Sequence, residues 1–160
     1  MTVYPLHPNI HNPETLAHPE RRLNGKLHDY WHEIAAGRTM PEEVDMDMEI
    51  LANLWPKCFL IQTFDITERR DMNYTYLGRD IIDAYHDDSL KEARHLMVSP
   101  KAIHLLASFR QVMSSHAPLI AQGEFTSASA RQVRYRQSML PLGKEGVVQA
   151  IFGGFSFKIY

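Results

Sequence analysis

Residues 58–65 read Cys58-Phe59-Leu60-Ile61-Gln62-Thr63-Phe64-Asp65, a run that opens with apolar side chains on both alternations. Successive side chains of a strand point to opposite faces, so a strand that is apolar on both needs cover on both sides. The end of the chain repeats the pattern. Over residues 147–158, Ile151, Phe155 and Phe157 share one face while Val148, Ala150 and Phe152 share the other. Two such strands belong in the middle of one antiparallel sheet, lying side by side.

Working outward, Asn73-Tyr74-Thr75-Tyr76-Leu77-Gly78 is a half-exposed strand rich in β-formers, joined to the first by a charged turn over 67–71. Two further strands are expected at 119–127 and 131–140, and Lys144-Glu145-Gly146 makes the turn into the last strand. Between them, Ile81, Ile82 and Tyr85, then Leu90, Ala93 and Leu96, suggest short helical pieces. Ser99-Pro100 opens a longer helix, an N-cap followed by proline at the first helical position. Its stripe is Ala102, Leu105, Leu106, Phe109, Val112 and Met113.

Towards the N-terminus, Leu23, Leu27, Tyr30, Trp31 and Ile34 recur at spacings of three and four, the stripe of a helix that stops at Gly37. A second, shorter helix is expected from Asp47 to Trp55, with Ile50, Leu51 and Leu54 inward, Asp45 or Asp47 as cap and Pro56 as its end. Residues 1–19 carry Pro5, Pro8, Pro13 and Pro19, a density that blocks regular hydrogen bonding and predicts an extended arm. The expected organisation is therefore this arm followed by one domain over 20–160, which includes the helices of 20–55. Helices and strands are segregated, which makes the class α+β.

A length of 160 residues suits one domain, and 44% hydrophobic with 22% charged residues is ordinary for a globular chain. A net charge of −2 offers no electrostatic footprint for nucleic acid or an anionic membrane. No run of about 18 apolar residues exists to span a bilayer, and Met1-Thr2-Val3-Tyr4-Pro5 lacks the basic start of a signal peptide. The single cysteine, Cys58, fits a reducing compartment, so the expected location is the cytoplasm.

In this order the elements resemble those of PAS domains, and more specifically the bacterial stand-alone PAS proteins with an extra N-terminal helical segment. The resemblance covers residues 20–157. It is carried by Tyr30-Trp31, Gly37-Arg38-Thr39-Met40-Pro41, Asp45-Met46-Asp47, Leu54-Trp55-Pro56, Phe59-Leu60, Tyr76-Leu77-Gly78 and Leu140-Pro141-Leu142. Glu43 stands where members commonly have arginine, Met48 where they have proline, and His86-Asp87-Asp88 replaces a glycine-containing turn. The resemblance implies a five-stranded antiparallel sheet of order 2-1-5-4-3, with helices on one face. It also implies a cavity between the sheet and those helices. Its lining would be Tyr74 or Tyr76 from the second strand, Ile81, His95 and Met97 from the short helices, and Phe109 and Met113 from the long one. The same residues could equally fill a closed core.

Other constellations carry less. His28 and His32 stand four apart on one helical face, a spacing that can bind zinc, but no third ligand follows. His104 falls opposite its helix's apolar stripe, His95 is the better haem candidate, and His116 ends the long helix. Cys58 opens a buried strand, where a thiol behaves as a small inert hydrophobe. Arg134 and Arg136 share a strand face with Gln132 and Ser138; they could clamp a carboxylate, although a solvated face is the simpler reading. Gly153-Gly154 lies within a strand and suggests close backbone approach rather than a phosphate cradle.

The function expected from this reading is a non-catalytic sensor or docking module. It would take a small apolar molecule, act through a protein partner, and form a homodimer, with neither nucleic acid nor membrane involved. No cofactor, metal ligand or catalytic residue is named by the sequence. The alternatives are a small enzyme on a cone-shaped α+β fold that performs proton transfer or hydrolysis, and a haem- or metal-binding sensor.

Overall fold

The computed structural model describes residues 2–5, 21–64, 74–85, 105–126 and 130–159. Its strands are β1 (Thr2–Pro5), β2 (Cys58–Gln62), β3 (Tyr74–Leu77), β4 (Leu119–Thr126), β5 (Gln132–Lys144) and β6 (Val147–Ile159). Its helices are α1 (Lys26–Ala35), α2 (Arg79–Tyr85) and α3 (Leu105–Ser115). All strands join one antiparallel sheet in the order β1-β4-β5-β6-β2-β3. Apart from β1, this is the PAS-like order 2-1-5-4-3 of an α+β fold. The two strands apolar on both faces, β2 and β6, are adjacent, and neither is an edge strand.

The sheet has a sixth strand that the sequence did not suggest. Thr2–Pro5 pairs with Ala121–Glu124 of β4. An edge position suits Pro5, because proline cannot donate to a ladder. The rest of the expected arm, residues 6–19, lies outside the described residues.

Two faces of β6 can be told apart at its paired glycines. A Cβ on Gly153 would collide with the Ser138 carbonyl and come within 3.0 Å of the Phe59 ring, whose neighbour at 5.7 Å between centroids is Phe109 of α3. A Cβ on Gly154 would instead meet Leu27 Cδ1 of α1 at 2.5 Å. Helices α2 and α3 therefore cover the inner face and α1 covers the outer one. The double glycine marks close approach, as its place in a strand suggests. Beside it the ladder gives way: the Gly154 amide donates to the Ser138 hydroxyl at 2.9 Å, a side chain taking the place of a backbone acceptor.

The N-terminal stripe is buried as its spacing predicts. Leu23, Leu27, Tyr30 and Trp31 are buried and Ile34 packs against the core. The helix begins with a π-helical turn, Arg21–Gly25, and ends at Ala36 and Gly37, both at positive φ. Such angles cost glycine little and end helices commonly. Asn24, fully buried, donates to the Arg136 carbonyl at 3.4 Å and the Ser156 hydroxyl at 3.3 Å, which ties this turn to the sheet.

The expected second helix over 47–55 does not form. Residues 48–54 are turns, with amides reaching back now three residues (Leu54 to Leu51, 2.9 Å) and now four (Leu51 to Asp47, 3.4 Å). Of the supposed inward side chains only Leu51 is buried, Leu54 is partly covered, and Ile50 is exposed. One anchored side chain cannot offset the cost of starting a helix. The segment closes in a 3₁₀ turn, Trp55–Lys57, that delivers Cys58 into β2.

Strand β5 runs further than the expected 131–140, through Pro141 to Lys144. Pro141 is tolerated because β4 stops at Leu119, opposite Met139, leaving that edge of β5 without a strand neighbour. The vacated edge is used by the N-terminal segment: Trp31 Nε1 donates to the Pro141 carbonyl at 2.7 Å, and the Gly143 amide donates to the Pro41 carbonyl at 2.8 Å.

Candidate functional site

The inner face gathers side chains from each element that packs there. Phe59 and Ile61 come from β2, Tyr74 from β3, Ile81 and Ala84 from α2, Phe109 and Val112 from α3, and all are buried. Tyr74 meets Phe59 edge-on with centroids 5.8 Å apart. From β5 and β6, Tyr135 stacks on Phe155 at 5.2 Å and 18°, and Phe155 lies beside Phe157 at 5.6 Å. Lys57 stands 5.5 Å over the Phe157 ring and pairs with Asp80 of α2 at 3.3 Å. That ion pair is partly exposed.

One polar side chain breaks this apolar surface. Gln137 lies directly opposite Phe155 on β6 and Ala121 on β4, in the middle of the sheet. It is only 3% exposed, and its Oε1 has no hydrogen-bond partner among the described residues. A buried amide oxygen without a partner costs about 1–3 kcal/mol. Aromatic walls with one unsatisfied acceptor are the surroundings a small apolar molecule with a hydrogen-bond donor requires.

The expected lining residues divide. Tyr74, Ile81 and Phe109 are buried on the inner face, and Met113, one turn beyond Phe109, packs against the core with part of its surface open. Tyr76 is elsewhere. A register shift between Leu60 and Ile61 sets Tyr74 opposite Ile61 but Tyr76 opposite Leu60, so the two tyrosines emerge on opposite faces. Tyr76 stacks on Trp55 at 4.2 Å and donates to its carbonyl at 2.9 Å. His95 and Met97 lie outside the described residues, as does His104. Sequence reasoning missed Gln137 and Tyr135. Their signal is the alternation Val133, Tyr135, Gln137, Met139, apolar but for one amide, on the side of β5 opposite Arg134 and Arg136.

The tyrosines here are poor acids. Burial raises the Tyr74 and Tyr135 hydroxyls well above the usual phenol range, because an anion would lose its water. Among the described residues no carboxylate is buried beside them. Cys58, fully buried, donates to the Leu54 carbonyl at 3.2 Å, and burial pushes its thiol up to about 12. A thiol held protonated is a poor nucleophile.

The other sequence candidates resolve locally. His28 is buried and His32 exposed, with ring centroids 4.5 Å apart. No group of three metal-ligating side chains occurs among the described residues. Arg134 Nε donates to Glu124 at 3.3 Å, and Arg136 donates to Gln122 at 3.1 Å, so each guanidinium engages its cross-strand neighbour. No helix among the described residues is long and apolar enough to cross a membrane.

No family model matches the chain, and no curated protein does. Among solved structures, an RNA-binding light-oxygen-voltage receptor is similar at 10% identity and a TM-score of 0.49 over 68% of this chain. This chain spans about a third of that receptor, 32% of its length. The Rhodobacter sphaeroides LOV protein is similar at 10% identity and a TM-score of 0.46, covering 70% of this chain and 68% of its own.

Proposed function

We propose that this chain is a PAS-type regulatory module of the cytoplasm. It binds a small, largely apolar molecule on the inner face and acts through protein contacts rather than catalysis. The observation that carries this reading is the unsatisfied Gln137 Oε1 inside an aromatic wall. Buried polar groups are ordinarily hydrogen-bonded, so an orphan acceptor set in an aromatic wall calls for a partner. A bound donor would satisfy it, and binding would then bias the helices of that face. The enzyme alternative lacks support at this site. Proton transfer needs a group that titrates near working pH, whereas both inner-face tyrosines are held neutral.

Native mass spectrometry of freshly purified protein tests the reading. The expected result is a reproducible mass excess, lost on denaturation, together with the oligomeric state. Met113→Trp supplies the second arm. In an open site it abolishes the mass excess with little change in melting temperature. In a filled core it costs about 1–3 kcal/mol by overpacking. A bare mass together with that destabilisation refutes a ligand site.

A further inference from the structure

The loop between α1 and the 3₁₀ turn at Trp55 alternates acid with hydrophobe: Glu42, Glu43, Val44, Asp45, Met46, Asp47, Met48, Glu49, Ile50. Met46 packs against the core, but its other apolar members are exposed. Val44 is 87% exposed and Ile50 65%. Solvent exposure of large apolar side chains ordinarily goes with a slack loop, and this one is braced. Arg38 donates to Asp45 Oδ2 at 2.8 Å and to the Ile34 carbonyl at 2.7 Å. The Asp47 amide donates to the Tyr30 hydroxyl at 2.6 Å, and Asp45 Oδ2 also accepts from the Glu42 amide at 2.8 Å.

The same loop is carried to one end of the sheet. Gln62, at the end of β2, donates to Glu43 at 2.9 Å, and the Thr63 hydroxyl donates to the Val148 carbonyl at 2.9 Å. Lys144 lies 3.9 Å from Glu42. Phe64 and Val147, both largely exposed, therefore sit at the same end of the sheet as Glu43 and its neighbour Val44. Among the described residues, Arg38 and Lys144 balance Glu42 and Asp45, which leaves Glu43 and Glu145 to make this end of the sheet net negative.

We propose that this end of the sheet is a docking surface for a cationic amphipathic segment of a partner protein. Apolar side chains of the partner cover Val44, Phe64 and Val147, while its lysines or arginines meet the carboxylates. Charge selects the occupant. A second copy placed symmetrically would set carboxylates against carboxylates, and an anionic membrane would be repelled. A braced surface loses little freedom on binding, which favours affinity. The inference rests on the docking half of the function proposed above and is independent of any molecule on the inner face.

The test uses the ligand-free 160-residue chain and a fluorescent peptide of leucine and lysine with its leucines on one helical face. Two control peptides are a leucine–glutamate counterpart and a scrambled leucine–lysine sequence. The expected result is saturable binding of the amphipathic lysine peptide only. The double variant Val44→Ser/Val147→Ser, which leaves charge unchanged and touches only exposed side chains, should weaken it about tenfold or more. Circular dichroism confirms that the variant is folded. Absent or non-saturable binding overturns the proposal, as does equal binding of the scrambled peptide or an affinity unchanged in the double variant. A concentration-dependent dimer abolished by the same variant also overturns it, since the occupant is then a second copy. Loss of a mass excess in native spectra bears only on the inner-face ligand and leaves this surface standing.

Discussion

The indole of Trp31 donates a 2.7 Å hydrogen bond to the carbonyl of Pro141, a buried contact that joins the N-terminal helix to the stretch of β5 lying beyond β4. Residues far apart in the chain meet here, and they belong to the short motifs that carried the PAS resemblance. Pro41 accepts from Gly143 two residues further along the same strand, so helix and loop together do the work of a missing strand.

Trp31→Phe keeps most of the ring's burial and removes only the N–H. A buried carbonyl left without its donor costs about 1–3 kcal/mol. Urea denaturation should show a lower midpoint with an unchanged slope. Deleting residues 1–38 goes further, since it bares the outer face that Leu23 and Leu27 cover. The truncated chain should aggregate or melt without cooperativity, as size-exclusion chromatography and calorimetry would report.

Gly154→Ala and Gly153→Ala should differ sharply. At Gly154 the new methyl meets the flexible ends of Leu27 and Leu23, which can shift at an overpacking cost of about 1–3 kcal/mol. At Gly153 it runs into the Ser138 backbone carbonyl, which cannot rotate away. Thermal melts should place the Gly154 variant modestly below wild type and find the Gly153 variant unfolded or insoluble.

Cys58 should resist alkylation in the native protein and react on denaturation. Its folded thiol stays protonated up to about 12, whereas an unfolded thiol ionises near about 8.5. Above that lower value the unfolded chain sheds a proton that the folded chain keeps. Stability therefore falls as pH rises, by about 1.4 kcal/mol per pH unit between roughly pH 8.5 and 10. Below about pH 8.5 both states hold the proton and the contribution is constant. Denaturant titrations across this window should show that slope in wild type and its loss in Cys58→Ala.

Gln137→Leu should raise the melting temperature of ligand-free protein. It replaces an amide whose oxygen is buried without a partner by an apolar side chain of similar size. The same change should abolish the mass excess expected in native spectra. A variant that melts lower would mean that the amide is satisfied in solution.

The central strands and the N-terminal helix were legible in sequence because double-sided apolarity and a three-four stripe each state what must be covered. Strand β2, strand β6 and the stripe from Leu23 to Ile34 are local patterns, and no other arrangement hides them from water. The class and the pairing of these two strands followed, while the full strand order came with the PAS resemblance. The tertiary structure decided what depends on neighbours. The register shift at Leu60 and Ile61 sent Tyr74 inward and Tyr76 outward, although residues two apart share a face in a regular strand. Pro141 remained in β5 because the end of β4 freed its edge, which neither segment's own sequence records. The expected helix over 47–55 gave way to turns with only Leu51 buried, and Thr2–Pro5 became a strand because β4 offered an open edge. Gln137 became a site candidate only when its alternation was placed mid-sheet, where its oxygen is buried with no donor among the described residues. Pattern determines which faces must be hidden; packing decides which backbone edge or polar atom is left for a particular partner.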